Sequence, residues 1–188
     1  MKNLQSGQIN RASNIRNFSS NIVVNKDATL LYVSSLNNFI TRFDLSNLKP
    51  DEEISVPQRV TYLDTKRTQY NESIKNMILS PDENTLAIVL NNMAVGAFKG
   101  VKNITSASNP EFILNEKSTH KSSVDIIKFT PDSKKIVTSA NDYTIRVMDT
   151  ESTMGNSQLL NGKIVASSRD KNSILILSGD KISKYNFD

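Results

Sequence analysis

The sequence contains no cysteine, no tryptophan and a single histidine, His120, among 188 residues. Without cysteine there is no disulfide framework and no thiolate metal site. A lone histidine also has no second histidine or cysteine with which to share a metal ion. We therefore expect a protein without cofactors in a reducing compartment, which means an intracellular protein of the cytoplasm or nucleus.

Long hydrophobic runs are also absent. The longest apolar run, residues 86–90, is far shorter than a membrane-spanning helix, so no membrane contact is expected. Residues 1–20 contain Lys2, Arg11 and Arg16 but no apolar stretch of the kind found in secretory signals. The formal net charge is +4. The basic segment is either a solvated arm or an arm that lies on RNA, acidic protein or anionic lipid.

A short phrase occurs four times in the chain. Each copy has an apolar run, an aspartate a few residues later, and an apolar residue four positions after the aspartate. The copies are residues 22–27 with Leu31, 77–82 with Leu86, 127–132 with Ile136, and 165–170 with Ile174. We call Asp27, Asp82, Asp132 and Asp170 the marker aspartates. A repeat of roughly 40–50 residues is typical of stacked small sheets.

Each copy predicts three short strands, with β-branched and aromatic residues between Asn, Asp, Pro and Gly turns. The predicted strands are 21–24, 30–34 and 39–44; 73–79, 85–90 and 94–99; 124–129, 135–139 and 144–149; and 163–166, 173–177 and 181–187. The residues predicted to close the copies are Phe43, Phe98, Met148 and Phe187. A fourth strand would lie in the variable segments 48–69, 101–119 and 151–161.

The marker aspartates are interpreted as turn-forming residues. Pro81 and Pro131 precede two of them. Proline fixes φ, and an aspartate side chain accepts hydrogen bonds from backbone N–H groups just ahead of it. Because the same residue recurs at the same place in every copy, a structural role is favoured over a catalytic one.

The third copy resembles the WD-repeat family. The resemblance rests on His120 four residues before Val124, the Thr130-Pro131-Asp132 turn, and the stretch Asn141-Asp142-Tyr143-Thr144-Ile145 that leads to Met148-Asp149. Met148 stands where the family has tryptophan. The resemblance implies a buried hydrogen-bonded network of His120, Ser139 and Asp142, cut short at Met148 because a thioether donates no hydrogen bond.

The resemblance implies an all-β chain, a β-propeller of WD-repeat type with about four visible blades at residues 21–70, 71–119, 120–161 and 162–188. Residues 1–20 would be a basic arm or would supply a closing outer strand at residues 6–12. Four blades are few for this family. The chain is therefore expected to belong to a larger propeller, to receive blades from a partner or a second copy through its open edges, or to close with four blades.

The expected function is a non-catalytic scaffold or adaptor subunit that binds other proteins through propeller faces and loops. Arg42 and Arg146, on third strands, are the candidate partner-binding residues. An alternative is a factor in RNA or ribonucleoprotein assembly such as ribosome biogenesis, although no RNA-reading motif is present. A second alternative is a propeller hydrolase with a metal ion in the channel, which would need several convergent carboxylates or histidines.

Overall fold

The structure is a computed structural model that describes residues 18–35, 39–46, 60–64, 73–103, 111–114, 120–151, 157–168 and 172–187. These residues form fifteen β-strands and one short 3-10 helix, Val101–Asn103. The expectation of an all-β chain is confirmed for this part of the sequence. The proposed closing strand at 6–12 and the marker Asp170 lie outside the described residues.

The strands form four separate antiparallel sheets, and within each sheet neighbouring strands follow chain order. The first sheet contains β1 (Phe18–Val24), β2 (Leu30–Ser35), β3 (Phe39–Asp44) and β4 (Val60–Asp64). The second contains β5 (Ile74–Leu79), β6 (Thr85–Leu90), β7 (Val95–Lys99) and β8 (Glu111–Leu114).

The third sheet contains β9 (Val124–Phe129), β10 (Lys135–Ala140), β11 (Thr144–Asp149) and β12 (Gln158–Asn161). The fourth contains only β13 (Lys163–Ser167), β14 (Ser173–Ser178) and β15 (Lys181–Asn186) among the described residues. The three predicted strands of each copy are present, with ends shifted by at most three residues. The fourth strands β4, β8 and β12 lie in the segments that vary in length between copies.

Consecutive sheets pack face to face because both faces of the inner strands are apolar. The first and second sheets share a buried cluster that contains Tyr32, Ile40, Leu86, Ile88 and Phe98. The second and third sheets share another such cluster, and so do the third and fourth. Since side chains alternate between the two faces of a strand, odd and even positions of each strand contact different neighbours.

The turns that contain the marker aspartates join neighbouring sheets by hydrogen bonds. The Lys26 amide donates to Glu83 Oε1 over 2.7 Å, and the Asp82 amide donates to Ser133 Oγ over 3.0 Å. Asn172 Nδ2 donates to Asp132 Oδ2 over 2.8 Å. All three sheet-to-sheet steps therefore carry a polar link at the same end of the sheets, in addition to apolar packing.

The fourth sheet differs from the others in the length of one turn. Ser178 pairs with Lys181 across the turn Gly179-Asp180, so β15 meets β14 one residue earlier than the marker spacing predicts. As a result Tyr185, which pairs with Ile174, takes the position that Phe43, Phe98 and Met148 take in the other sheets. The closing residue of the fourth copy is thus Tyr185 rather than Phe187.

Candidate interaction surface

His120 is the centre of a buried hydrogen-bonded network in the third sheet. Its Nε2 lies 2.8 Å from Thr138 Oγ1, and its Nδ1 lies 2.9 Å from Thr144 Oγ1. The Thr144 hydroxyl donates to Asp142 Oδ1 over 2.6 Å. Because that hydroxyl has a single proton, His120 must donate from Nδ1 and accept at Nε2. The network therefore fixes one neutral tautomer and connects the start of β9 to strands β10 and β11.

The structure joins only two of the residues expected in this network, His120 and Asp142. The hydroxyl that meets the imidazole belongs to Thr138, because Ser139 lies on the opposite face of β10, among the residues that face the fourth sheet. Met148 is buried in the cluster between the second and third sheets. Thr138 and Thr144 were missed by the sequence analysis, although strand alternation counted from Ile136 could have separated Thr138 from Ser139.

Burial and hydrogen bonding set the charge states in the network. Burial lowers the pKa of His120 below its ordinary 6.5, and the opposing effect of the Asp142 carboxylate is smaller. For Asp142 burial acts to raise the pKa, but hydrogen bonds from Thr144 and from the Lys121 amide outweigh it, so the pKa lies below 3.8. At neutral pH the network thus contains a neutral imidazole and a carboxylate.

We expect the stability of the chain to fall in two stages on acidification. The folded-state pKa of His120 lies below its unfolded value, so its contribution is complete above about pH 6.5 and is lost as the pH falls through the folded pKa. Asp82, Asp132 and Asp142 also have lowered pKa values, so their contributions are lost below about pH 3.8. Urea denaturation at a series of pH values measures both stages.

A control separates the histidine from the carboxylates. His120→Gln should remove the stage that begins near pH 6.5 and leave the one that begins near pH 3.8. A variant that keeps both stages would contradict the assignment of the first stage to His120.

Two marker aspartates close their turns in the same way. Asp82 Oδ1 accepts from the Asn84 amide over 3.1 Å and from the Ser80 hydroxyl. Asp132 Oδ1 accepts from the Lys134 amide over 3.1 Å and from the Thr130 hydroxyl. These carboxylates are fully used by backbone and hydroxyl groups of their own turns and of the neighbouring sheet, which is a structural use.

The first copy closes its turn with a different residue. Asn25, two positions before Asp27, is buried, and its Oδ1 accepts from the amides of Thr29 and Leu30 over 2.9 and 2.8 Å. Asp27 is in the turn and exposed. The role assigned to Asp27 by its place in the repeat is thus performed by Asn25.

We expect Asp132→Ala to lower the free energy of unfolding by about 1–2 kcal/mol, because it leaves the Lys134 amide and the Asn172 side chain without this acceptor. Asp27→Ala, at the corresponding position, should change it by less than about 0.5 kcal/mol, since its side chain is exposed. Urea denaturation of the two variants compares them directly, and equal losses would contradict this reading of the turns.

The two arginines proposed as partner-binding residues are half-buried and contact the protein itself. Arg42 Nη2 donates to the carbonyl oxygen of Lys102, in the 3-10 helix that follows the second sheet's third strand, over 3.1 Å. Arg146 Nη1 donates to Ser157 Oγ over 2.9 Å. Both guanidinium groups therefore have a role within the fold, and a role in partner binding stays a prediction.

The outer face of the fourth sheet exposes a patch that the sequence analysis did not identify. Leu175 and Leu177 on β14 are 38% and 37% exposed, and Ile182 on β15 is 65% exposed. Lys184 is exposed beside them, because it pairs with Leu175 while Ile182 pairs with Leu177. We call Leu175, Leu177, Ile182 and Lys184 the open face.

The same positions are covered in the other three sheets. Five residues after the marker aspartate stand Tyr32, Ala87 and Val137, and seven residues after it stand Ser34, Val89 and Ser139, all at most 2% exposed. Their strand partners Ile40, Val95, Ala97, Ile145 and Val147 are also buried, and Arg42 is half-buried. The next sheet along the chain covers each of these faces. The open face is thus a sheet-packing surface that no described residue covers.

A second exposed feature lies at the β10–β11 turn. Tyr143 is 68% exposed and adopts a left-handed backbone conformation with φ 59°. Lys163 Nζ lies 5.0 Å from its ring centroid and donates to Asn141 Oδ1 over 3.0 Å. The ring is thus held in place by a cation from the fourth sheet.

The described residues contain no group of three or more His, Cys, Asp or Glu side chains that could hold a metal ion. In the same part of the chain, no helix has the length and apolar content needed to cross a bilayer.

Comparison with known protein families finds no matching family model, and comparison with curated proteins finds no matching sequence. What the chain does must therefore be argued from its own surfaces.

Proposed function

We propose that this chain is a protein-interaction scaffold of the WD-repeat propeller type, and that a partner protein packs on the open face. The comparison within the chain carries this proposal. Positions that are buried in three sheets are exposed in the fourth, where they are two leucines, an isoleucine and a lysine. An exposed, contiguous apolar surface of this kind is typical of protein–protein contact sites.

The kind of partner follows from how the chain covers its equivalent faces. In the first three sheets the covering surface is another antiparallel sheet with aliphatic and aromatic side chains. A partner that offers an apolar sheet would continue the same packing. It would also bury three aliphatic side chains that now contact water, each contributing roughly 1 kcal/mol when fully covered.

The propeller assignment is part of the proposal. It is supported by four sheets that stack through equivalent faces, by the repeated polar links between marker turns, and by the His120 network. Within this proposal each sheet is a blade, and the partner's sheet takes the place of the blade that would follow the fourth.

The test compares wild-type chain with Leu177→Glu as bait for proteins of the cell that produces it, after ribonuclease treatment. We expect the wild type to retain a defined protein in near-stoichiometric amount and Leu177→Glu to lose it, because an uncompensated carboxylate at the centre of an apolar contact is costly to bury. Leu159→Glu is the matched control, since Leu159 is also exposed, at 53%, but lies on β12.

Two outcomes would overturn the proposal. One is that all three proteins retain the same set of partners, which would place the contact elsewhere. The other is that retention is lost on ribonuclease treatment, which would indicate an RNA-bound factor. Circular dichroism and urea denaturation of each variant establish that loss of the partner is not loss of fold.

A further inference from the structure

The fourth sheet also differs from the others at its outer edge. In the first three sheets a fourth strand pairs antiparallel with the third: β4 with β3, β8 with β7, and β12 with β11. Among the described residues β15 pairs only with β14. The backbone groups along the outer side of β15 are therefore available to a further strand from outside this part of the chain.

The charges on β15 favour one kind of occupant. Lys181 and Lys184 are both exposed, and lysines on an edge strand disfavour pairing with an identical strand, because like charges then face each other across the ladder. A strand with a carboxylate would meet complementary charge instead. The edge therefore favours an acidic partner strand over β15 of a second copy.

The first sheet contains a precedent for the role of Lys184. Arg42 occupies the equivalent position, since it pairs with Tyr32 as Lys184 pairs with Leu175. Its guanidinium reaches an oxygen acceptor on the next sheet, the Lys102 carbonyl. A cation at this position is thus satisfied by the element that covers the face, and whatever covers the open face must supply an oxygen acceptor to Lys184.

The fourth strands of the chain indicate the composition that suits this edge. β4 has the sequence Val-Thr-Tyr-Leu-Asp and β8 has the sequence Glu-Phe-Ile-Leu, so each is short, apolar and contains one carboxylate. A segment of four or five residues is sufficient to occupy the third strand of these sheets.

We propose that β15 binds a short extended segment of a partner protein, apolar with at least one carboxylate, which adds to the fourth sheet as its fourth strand and places that carboxylate against Lys184. This proposal rests on the proposed function, because the segment belongs to the partner that covers the open face. Backbone hydrogen bonds supply the affinity in such strand addition, and the side-chain pattern supplies the specificity.

The probe is a synthetic peptide with the sequence of residues 109–116, which contains the whole of β8. We expect it to slow hydrogen exchange at amides of residues 181–186 in the full chain. Lys184→Glu should weaken its binding at least tenfold, and a peptide in which both glutamates are replaced by lysine should recover that loss. Lys121→Glu, a change at an exposed lysine of the third sheet, is the matched control and should bind like the wild type.

Several outcomes would overturn the inference. Protection by the peptide outside residues 181–186 would do so, and so would equal affinity for the wild type and Lys184→Glu. Protection of β15 amides in the peptide-free monomer would mean that residues of this chain occupy the edge. The same protection together with a dimeric mass by light scattering would mean that a second copy does.

Failure here can be distinguished from failure of the proposed function. If Leu177→Glu abolishes partner retention while the peptide does not protect β15, the open face binds a partner and strand addition is excluded. If the peptide protects β15 but no partner depends on Leu177, the edge is competent to bind a strand and the proposed docking on the open face fails.

Discussion

Replacing Gly162 with alanine is expected to lower the free energy of unfolding by about 3 kcal/mol or more. Gly162 lies between β12 and β13 with φ +126°, a conformation that L residues rarely adopt. A Cβ there would lie 2.5 Å from the Leu177 carbonyl oxygen and 2.6 Å from Ile176 Cγ2. Strain of about 1–3 kcal/mol and overpacking of similar size would add, because the backbone carbonyl of β14 cannot move freely.

The matched control for Gly162→Ala is Gly100→Ala. Gly100 also has a positive φ, +67°, but a Cβ there would meet nothing within 4 Å. Its replacement should cost only the backbone strain, about 1–2 kcal/mol. Urea denaturation of both variants measures the difference, and an equal loss at the two sites would show that the close approach of Gly162 to β14 contributes nothing.

The second large effect is expected for His120→Ala, which should lower the free energy of unfolding by about 3 kcal/mol. The substitution leaves a cavity and removes the partner of two buried hydroxyls, Thr138 and Thr144. Lys121→Ala, at the adjacent exposed residue, should change stability by less than about 0.5 kcal/mol.

The same measurement identifies the hydroxyl that belongs to the network. Thr138→Val keeps the shape of the side chain but removes the group that meets Nε2, so it should destabilise the chain more than Ser139→Ala. The reverse order would contradict the assignment of Thr138 to the network.

Local sequence predicted the strands well because strand propensity and turn chemistry are local properties. The β-branched and aromatic runs between Asn, Asp, Pro and Gly turns correspond to observed strands in all four copies. Turn residues were predicted less well. Asn25 replaces Asp27 as the acceptor in the first copy, because either an amide or a carboxylate oxygen can close such a turn.

Register was harder to predict than strand location. In the fourth copy a turn that is one residue shorter brings Tyr185 rather than Phe187 opposite Ile174. A shift of one residue moves every side chain of a strand to the other face. This is also why a choice between Thr138 and Ser139 could not be made from the presence of a hydroxyl alone.

The sequence by itself determined that this chain is a set of repeated antiparallel β units whose marker turns are structural, because periodicity, turn residues and propensity are properties of neighbouring residues. Only the tertiary structure decided which faces are covered. Leu175, Leu177 and Ile182 have the sequence character of core residues, like Val89 and Val137 at equivalent positions. Whether such a residue is core or contact surface depends on whether another sheet packs against it, and burial is a relation between elements distant in the chain.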